Sequence, residues 1–527
     1  MTTKITACFA VVSRWMDGSI FFRALTALLN LVKNICSASF VGGAFVADTD
    51  PLENSVQRSI FARVTDKIFN GIPKVITPPT HWNATLSRLC NGSWLVKNGC
   101  ENLGAPIPQE GQGRGVATFF QWALFAAPAA GIALVLFAIP FLPTMLLAGL
   151  IIPILLLVVL SRKIEIDSTS IFLLVFIVVF LLAGVLSVTP TSSIQVAVLT
   201  SAFMLSTLVL VACATSSRSV DFFLKIFLVS AAFTGLYGLF QVLTGYSDNI
   251  WLDERQAAYI GLRVSSFFGN PNVYGTYLLL AIPIAAAGVV YFKGFFNKFC
   301  AVGITGLLLI NLLLTFSRGC YLSLALAVGV FVLIIEKRMI VLLIPAVLAL
   351  PFVLPQTIIM RIWSIFDMTD TSTSFRLNIW RGSIRMMQDF WLGGVGQGID
   401  AYNTVYPFYM LSAIHSPHSH SLYIQYLVEL GVFGFIVFII VLACFFRTMA
   451  NFVRNTSDFG QKVMATAMIA AAIGFLFQGL TDLVFYNNSV LLTFYLFMGL
   501  CIAFAKVNTV RKMTEKNARD LVSGYHD

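Results

Sequence analysis

Apolar positions in this chain neither alternate nor keep to one helical face; they run on. From Gln121 almost to the C-terminus, apolar stretches of about 17–25 residues, the length an α-helix needs to cross a bilayer core, recur between short polar breaks. The pattern predicts spans at 121–138, 143–160, 171–187, 194–213, 222–242, 273–291, 300–316, 319–336, 339–355, 421–446, 463–481 and 488–505. They are read as helices because lipid cannot hydrogen-bond an open backbone. Only "PFLP" separates the first two, which form either a hairpin or one kinked segment. A single long connection, 356–420, interrupts the series. The expected fold is an all-α polytopic membrane protein of about 12 transmembrane helices with one long extracytoplasmic loop.

Residues 1–120 have a different texture. In "FFRALTALLNLVKNI", Phe21, Leu25, Leu28, Leu29, Val32 and Ile35 recur at helical spacing beside Arg23 and Lys33, the pattern of a helix lying on a membrane surface. Arg14, Asp17 and Arg23 break the apolar character that a cleavable signal peptide requires. The expected organisation is an N-terminal cytoplasmic or membrane-surface extension over 1–120, a transmembrane domain over 121–506 and a cytoplasmic tail over 507–527. No activity is assigned to the extension, and its sequons at Asn83 and Asn91 matter only on the outer side.

Composition agrees with the pattern. Hydrophobic residues make up 58% and charged residues 11%, with mean hydropathy +0.85, more apolar surface than a water-soluble domain can bury. Basic residues gather in alternate connections: "SRK" at 161–163, "SSR" at 216–218, "FKGFFNK" at 292–298, "EKR" at 336–338, and the 447–462 and 506–516 segments. Those connections are assigned to the cytoplasm, which puts both termini inside and 356–420 outside. The net charge of +10 therefore reflects topology and gives no reason to expect nucleic acid. Nine cysteines are scattered without paired spacing and suit apolar packing. No Walker loop or dinucleotide fingerprint is present.

The basic residues assigned to the outer face are Arg255, Arg263, Arg318, Arg361, Arg376, Arg381 and Arg385, with no lysine among them. A guanidinium grips phosphate through two parallel hydrogen bonds and keeps its charge, so this choice points to anion chemistry; for any one arginine, headgroup snorkelling or helix capping is the simpler account. Three stretches carry these residues. "RVSSFFGNPNVYGTYLLLA" starts a helix at Asn270-Pro271, near Arg263, with the dipole favouring an anion. "TFSRGCYLS" holds Arg318 in a very short connection, where it needs an anionic partner such as Asp389, Asp482 or a lipid phosphate. "FRLNIWRGSIRMMQDFWLGGVGQG" reads as an amphipathic helix, with Arg381 and Arg385 one turn apart and Arg376 pointing elsewhere, followed by a glycine-rich break.

Just before the tenth span comes "HSPHSHSLYIQYLVELGVFG", with three of the chain's five histidines. His420, Ser421, nine residues, then Gly431 and Gly434 match the signature of the O-antigen ligase and O-antigen polymerase superfamily. "RLNIW…FWLGGVGQGIDAY", "FFGNPNVYGTYL" and "TFSRG" resemble other motifs of that family, and the resemblance covers roughly residues 161–506. It implies a membrane glycosyltransferase of a bacterial cell membrane, without cofactor or metal. Such an enzyme moves a glycan with inversion from an undecaprenyl-pyrophosphate donor to a glycan, lipid or protein acceptor hydroxyl outside. His420 would be the general base, since imidazole has a pKa suited to take the acceptor's proton. Arg263, Arg318, Arg376, Arg381 and Arg385 would bind the pyrophosphate, whose departing charge needs stabilising.

Two other readings compete. His415, His418 and His420 could converge on a transition metal, although neither cysteine nor a well-spaced carboxylate stands nearby; otherwise His415 and His418 are a solvated entry to the span. The second is a secondary transporter of a small anion such as bicarbonate, for which Glu429, about two and a half turns below His420, is the clearest buried acid.

Overall fold

The computed structural model describes residues 51–78, 81–85, 87–88, 93–105, 109–110, 115–246, 262–364, 371–411 and 413–523, together with residue 27. Apart from Ala27, the amphipathic stretch at 21–35 lies outside the described residues, as do the sequon at Asn91 and Arg255.

Among the described residues eleven helices are long and apolar enough to cross a membrane. In chain order the elements are α1 (Pro51–Arg58), α2 (Ile60–Asn70), α3 (Trp94–Asn102), α4 (Gly115–Ala138), α5 (Thr144–Ser161), α6 (Ser168–Val185), α7 (Pro190–Cys213), α8 (Ser217–Thr244), α9 (Pro271–Tyr291), α10 (Phe295–Leu314), α11 (Arg318–Glu336), α12 (Ile340–Val353), α13 (Gln356–Trp363), α14 (Thr371–Asp389), α15 (Ile399–Val405), α16 (Leu422–Asn455), α17 (Phe459–Gln478) and α18 (Asn488–Ser523). A two-residue parallel pairing of His81–Trp82 with Gln109–Glu110 is the extended structure described. The chain is a multi-pass membrane protein, all-α as its hydropathy pattern requires.

The segment at 339–355 is the expected span missing from the eleven. Its helix α12 has only 14 residues and carries Pro345 and Pro351, each of which removes an amide donor. It still returns the chain across the bundle. Helix α11 starts beside Phe316 and ends at Glu336, and Arg361 of α13 donates from Nε to the Phe316 carbonyl at 3.0 Å, back at the starting end. The first two spans, α4 and α5, are separate helices packed on each other, so "PFLP" is a hairpin turn.

Helices α9, α17 and α18 are the most enclosed spans, and α10 and α11 the least. Small residues set the spacing: a side chain at Gly474 of α17 would meet the Ser323 carbonyl of α11 at 2.9 Å, and one at Gly275 of α9 would meet Cys320 Sγ at 2.7 Å. Part of the N-terminal extension is docked at the opposite end of the bundle from Arg361. Asn70 donates to the Ile164 carbonyl at 2.8 Å and accepts from its amide at 2.9 Å, while Lys74 Nζ donates to the Val159 carbonyl at 2.8 Å.

Helix α16 does not run straight. Gly431 sits at φ 64°, ψ −174°, an interruption inside the 34-residue helix. The glycine-rich stretch after α14 fills the gap in strand-like fashion: Val395 N–H donates to the Val428 carbonyl at 2.9 Å, Gly396 N–H to the Glu429 carbonyl at 3.1 Å, and Val432 N–H to the Trp391 carbonyl at 2.8 Å. Backbone groups freed by the break are thereby satisfied inside the protein, the condition for irregular backbone at membrane depth.

Candidate active site

One end of the bundle gathers the starts of α9, α11, α16 and α18 with the segments that precede them. Non-glycine residues rarely take positive φ, yet Ser266 (49°), Phe316 (50°), Ala413 (52°) and His420 (52°) all do so at this end. Ser266, Phe316 and His420 fall one in each of the "RVSSFFGNP", "TFSRG" and "HSPHSHS" stretches. Strained backbone of this kind persists where surrounding structure holds it, and it clusters at functional sites.

The arginines come together from three distant stretches. Arg263 is buried between α8 and α9; its Nε donates to the Thr315 carbonyl at 2.8 Å and its Nη2 to Asn272 Oδ1 at 3.0 Å. Asn270 caps α9 by accepting from the Asn272 amide at 2.8 Å, with Pro271 at the first helical position. Arg318 opens α11 and donates from Nη1 to the Ser364 carbonyl at 2.8 Å. Arg361 is buried and held by the Phe316 carbonyl. Burial, then the charge of Arg361 and, more weakly, that of Arg318 bring the Arg263 pKa down to about 10, an electrostatic signature of guanidiniums crowded together. Such crowding makes this end of the bundle a favourable setting for an anion.

The histidines form a second group. His418 and His420 have ring centroids 4.1 Å apart, and the His420 amide donates to His418 Nδ1 at 3.1 Å. His418 is buried and packs on Tyr486 at 4.7 Å, so it is not the solvated neighbour expected from sequence; His415 is exposed. The connection is fixed at both ends. The Ser419 amide donates to Gln425 Oε1 at 2.7 Å and the Leu422 amide to the Gly479 carbonyl at 2.8 Å. His420 Nδ1 faces Asp482 Oδ1 at 4.0 Å. Burial lowers both histidine pKa values to about 4, with Arg376 contributing to both and His420 to the fall at His418; Asp482 opposes it at His418. Both rings are consequently neutral near pH 7 and can accept a proton.

Arg376 thus lies near the imidazoles, half-buried on α14, whereas Arg381 and Arg385 are exposed farther along that helix. Arg263 and Asp482 both act electrostatically on Cys320, which ties the guanidinium group to the histidine group. Of the two carboxylates considered for Arg318, Asp389 accepts from the Tyr409 hydroxyl at 2.6 Å and Asp482 faces His420. Among the described residues no three His, Cys, Asp or Glu side chains gather as a metal site.

Two site residues were not singled out from sequence. Arg361 appeared only as one of the outer arginines, and Asp482 only as a possible partner of Arg318. The available signal for Asp482 was a lone carboxylate in the short connection between two spans. Glu429 also has a clear structural role: its Oε1 accepts from Gln425 Nε2 at 2.9 Å and from the Gly398 amide at 3.1 Å, holding the glycine-rich stretch against the broken helix.

No curated protein matches the chain. A family model described as O-antigen ligase matches residues 303–439, a segment that includes Arg318, Arg361, Arg376, Arg381, Arg385 and His420 and leaves out Arg263 and Asp482. The match supports a membrane glycosyltransferase-like enzyme with a lipid-linked glycan donor. The histidine signature beginning at His420 falls inside this match, and together they support the O-antigen ligase and polymerase superfamily for the segment that builds most of the site.

Proposed function

We propose that this protein transfers a glycan from an undecaprenyl-pyrophosphate carrier to an acceptor hydroxyl on the outer face of a bacterial cell membrane, without a metal and with inversion at the anomeric carbon. The observation that carries the reading is the meeting of Arg263, Arg318 and Arg361 with an imidazole pair and Asp482 at one end of the bundle. The basic connections at the opposite end support an orientation with both termini cytoplasmic.

In this mechanism Arg263, Arg318 and Arg361 hold the pyrophosphate, joined by Arg376 from the α14 side; Arg381 and Arg385, exposed, would meet the donor farther out. The acceptor oxygen attacks the anomeric carbon as the bond from that carbon to the pyrophosphate oxygen breaks. The electron pair leaves with the carrier pyrophosphate, whose growing charge the guanidiniums stabilise. The hydroxyl proton passes to neutral His420, and the Asp482 carboxylate orients the ring and favours the imidazolium that forms. Polymerase and ligase chemistry share these steps and differ only in the acceptor.

The test is reconstitution of the purified protein with its lipid-linked glycan and an acceptor in EDTA. Transfer that persists with chelator and is lost in His420→Ala is expected. Wild-type transfer by His420→Ala would end the general-base assignment, and chelator-sensitive transfer would point to a metal.

A further inference from the structure

Helix α2, in the N-terminal extension, carries an apolar ridge that the described residues leave uncovered. Ile60, Phe61, Val64 and Ile68 are all exposed and fall within an arc of about 100° on a helix. The neighbouring face is the one that docks, with Ala62 and Thr65 buried and Phe69 packed on the bundle core. On the other flank Arg63 and Lys67 are exposed, within about 60° of Ile60. Past the helix the ridge continues in Ile72 and Val75, both exposed.

The docking contacts fix the level at which this ridge sits. Glu53, before α2, accepts from the Ser168 amide at 3.0 Å, and Asn70 at its end bonds to Ile164, so α2 lies across the end of the bundle beside the connection from α5 to α6. The next residues follow the ends of two spans. Lys74 Nζ donates to the Val159 carbonyl at 2.8 Å and the Ile76 amide to the Leu160 carbonyl at 3.1 Å, both in the last turn of α5. Gln121, about one turn inside the span 117–138, donates to Thr77 Oγ1 at 3.1 Å. Ile72 and Val75 are therefore at the depth where hydrocarbon gives way to headgroups, near the exposed Phe119 and Phe120 of α4. Between the basic flank of α2 and the connection is a cavity of about 590 Å³. Arg63, Lys67 and Lys163 line it against Asp66 and Glu165, and Lys506 is paired with Asp167 at 2.9 Å, which leaves a surplus of positive charge.

We propose that α2 is a membrane-surface helix that binds anionic phospholipid: its ridge, with Ile72 and Val75, enters the acyl boundary of the leaflet at this end, and Arg63 and Lys67 hold lipid phosphates. An apolar arc edged by basic residues is the pattern of a helix lying in that layer, where apolar burial and attraction to anionic headgroups add. The ridge is continuous with the lipid-facing surface of the spans it is docked on, so the membrane that surrounds the bundle is its natural cover. Under the orientation proposed above this is the cytoplasmic leaflet; an inverted topology would change the name of the leaflet and nothing else. The transfer reaction is not invoked.

The test uses full-length protein in nanodiscs of equal parts phosphatidylglycerol and phosphatidylcholine. Val64 and Ile68 are replaced, one at a time, by photoreactive benzoylphenylalanine, which attacks C–H bonds and not water; both positions are exposed, so the new ring displaces no packed group. Leu156, exposed on the membrane span α5, is the reference position. After illumination, mass spectrometry should find phospholipid adducts at Val64 and Ile68 as it does at Leu156. At Ile68 the phosphatidylglycerol adduct should exceed the phosphatidylcholine adduct at least threefold, and Arg63→Gln with Lys67→Gln should bring the ratio close to one. Lipid adducts at Leu156 and none at either α2 position would overturn the proposal, whether those positions stay unreacted in water or join to protein that covers the ridge. Adducts with no preference for phosphatidylglycerol, or a preference that survives the double substitution, would remove the headgroup assignment to Arg63 and Lys67.

Discussion

The carboxylate of Asp482 stands 4.0 Å from Nδ1 of His420, although 62 positions separate them and they belong to different interhelical connections. The bond from the Leu422 amide to the Gly479 carbonyl at 2.8 Å ties the two connections together. In the proposed mechanism the other nitrogen of His420 takes the acceptor's proton.

That relationship gives opposite pH shifts for two neighbours. His420 must be neutral to take a proton, so kcat/KM should rise with pH through its pKa of about 4 and level off above it. Arg376→Gln removes a positive charge and should move the acid limb to higher pH; Asp482→Asn removes a negative one and should move it lower. Profiles carried about one to two units below the wild-type limb would measure both, and shifts in the same direction would contradict the arrangement. His420→Ala should cost roughly 10²–10⁴ in turnover.

Arg→Lys at Arg263, Arg318 or Arg361 keeps the charge and loses the fork. Each arginine donates to a backbone carbonyl, Arg263 also to Asn272 Oδ1, and a lysine cannot hold that carbonyl and also present a planar donor pair to phosphate. Donor KM should rise at least tenfold in each variant. Unchanged kinetics in all three would assign them to packing.

Glu429→Gln should retain most activity, because a glutamine carbonyl can still accept from Gln425 and the Gly398 amide. Glu429→Ala should lose it by releasing the glycine-rich stretch. Proton-coupled anion transport would instead fail in the glutamine variant, since the titrating group is gone. Counterflow of labelled bicarbonate in proteoliposomes separates the two.

Gly431→Ala tests the broken helix. The residue has φ 64°, and a Cβ there would meet the Leu392 carbonyl oxygen at 2.4 Å. The substitution should lower the thermal midpoint in detergent and cost about 1–3 kcal/mol or more. Gly303→Ala, where nothing lies within 4 Å of the new methyl, is the matched control and should be neutral.

Orientation has its own measurement. His415 is exposed in the connection before α16, and His415→Cys in a background without native thiols should react with an impermeant maleimide in whole cells. Labelling only after lysis would invert the topology.

Much of this protein was legible from the chain alone, because a bilayer makes burial one-dimensional: each apolar run long enough to cross must be a helix, and each short basic connection votes on a side. The spans, the separate long connection and the motifs around His420, Arg263 and Arg318 follow from that local information. Where proline shortened a helix, as in α12, hydropathy still marked the crossing. Tertiary structure alone decided how the connections meet. Arg361 carries no local mark that separates it from other charges near a span end, and Asp482 only its place as a lone carboxylate in a short connection; their neighbours are brought in by packing among α9, α11, α16 and α17. The same holds for Gly431. Its spacing from His420 was visible, but a glycine inside an apolar run has several uses, and its positive φ and close approach to Leu392 exist only once the stretch after α14 has folded back onto α16.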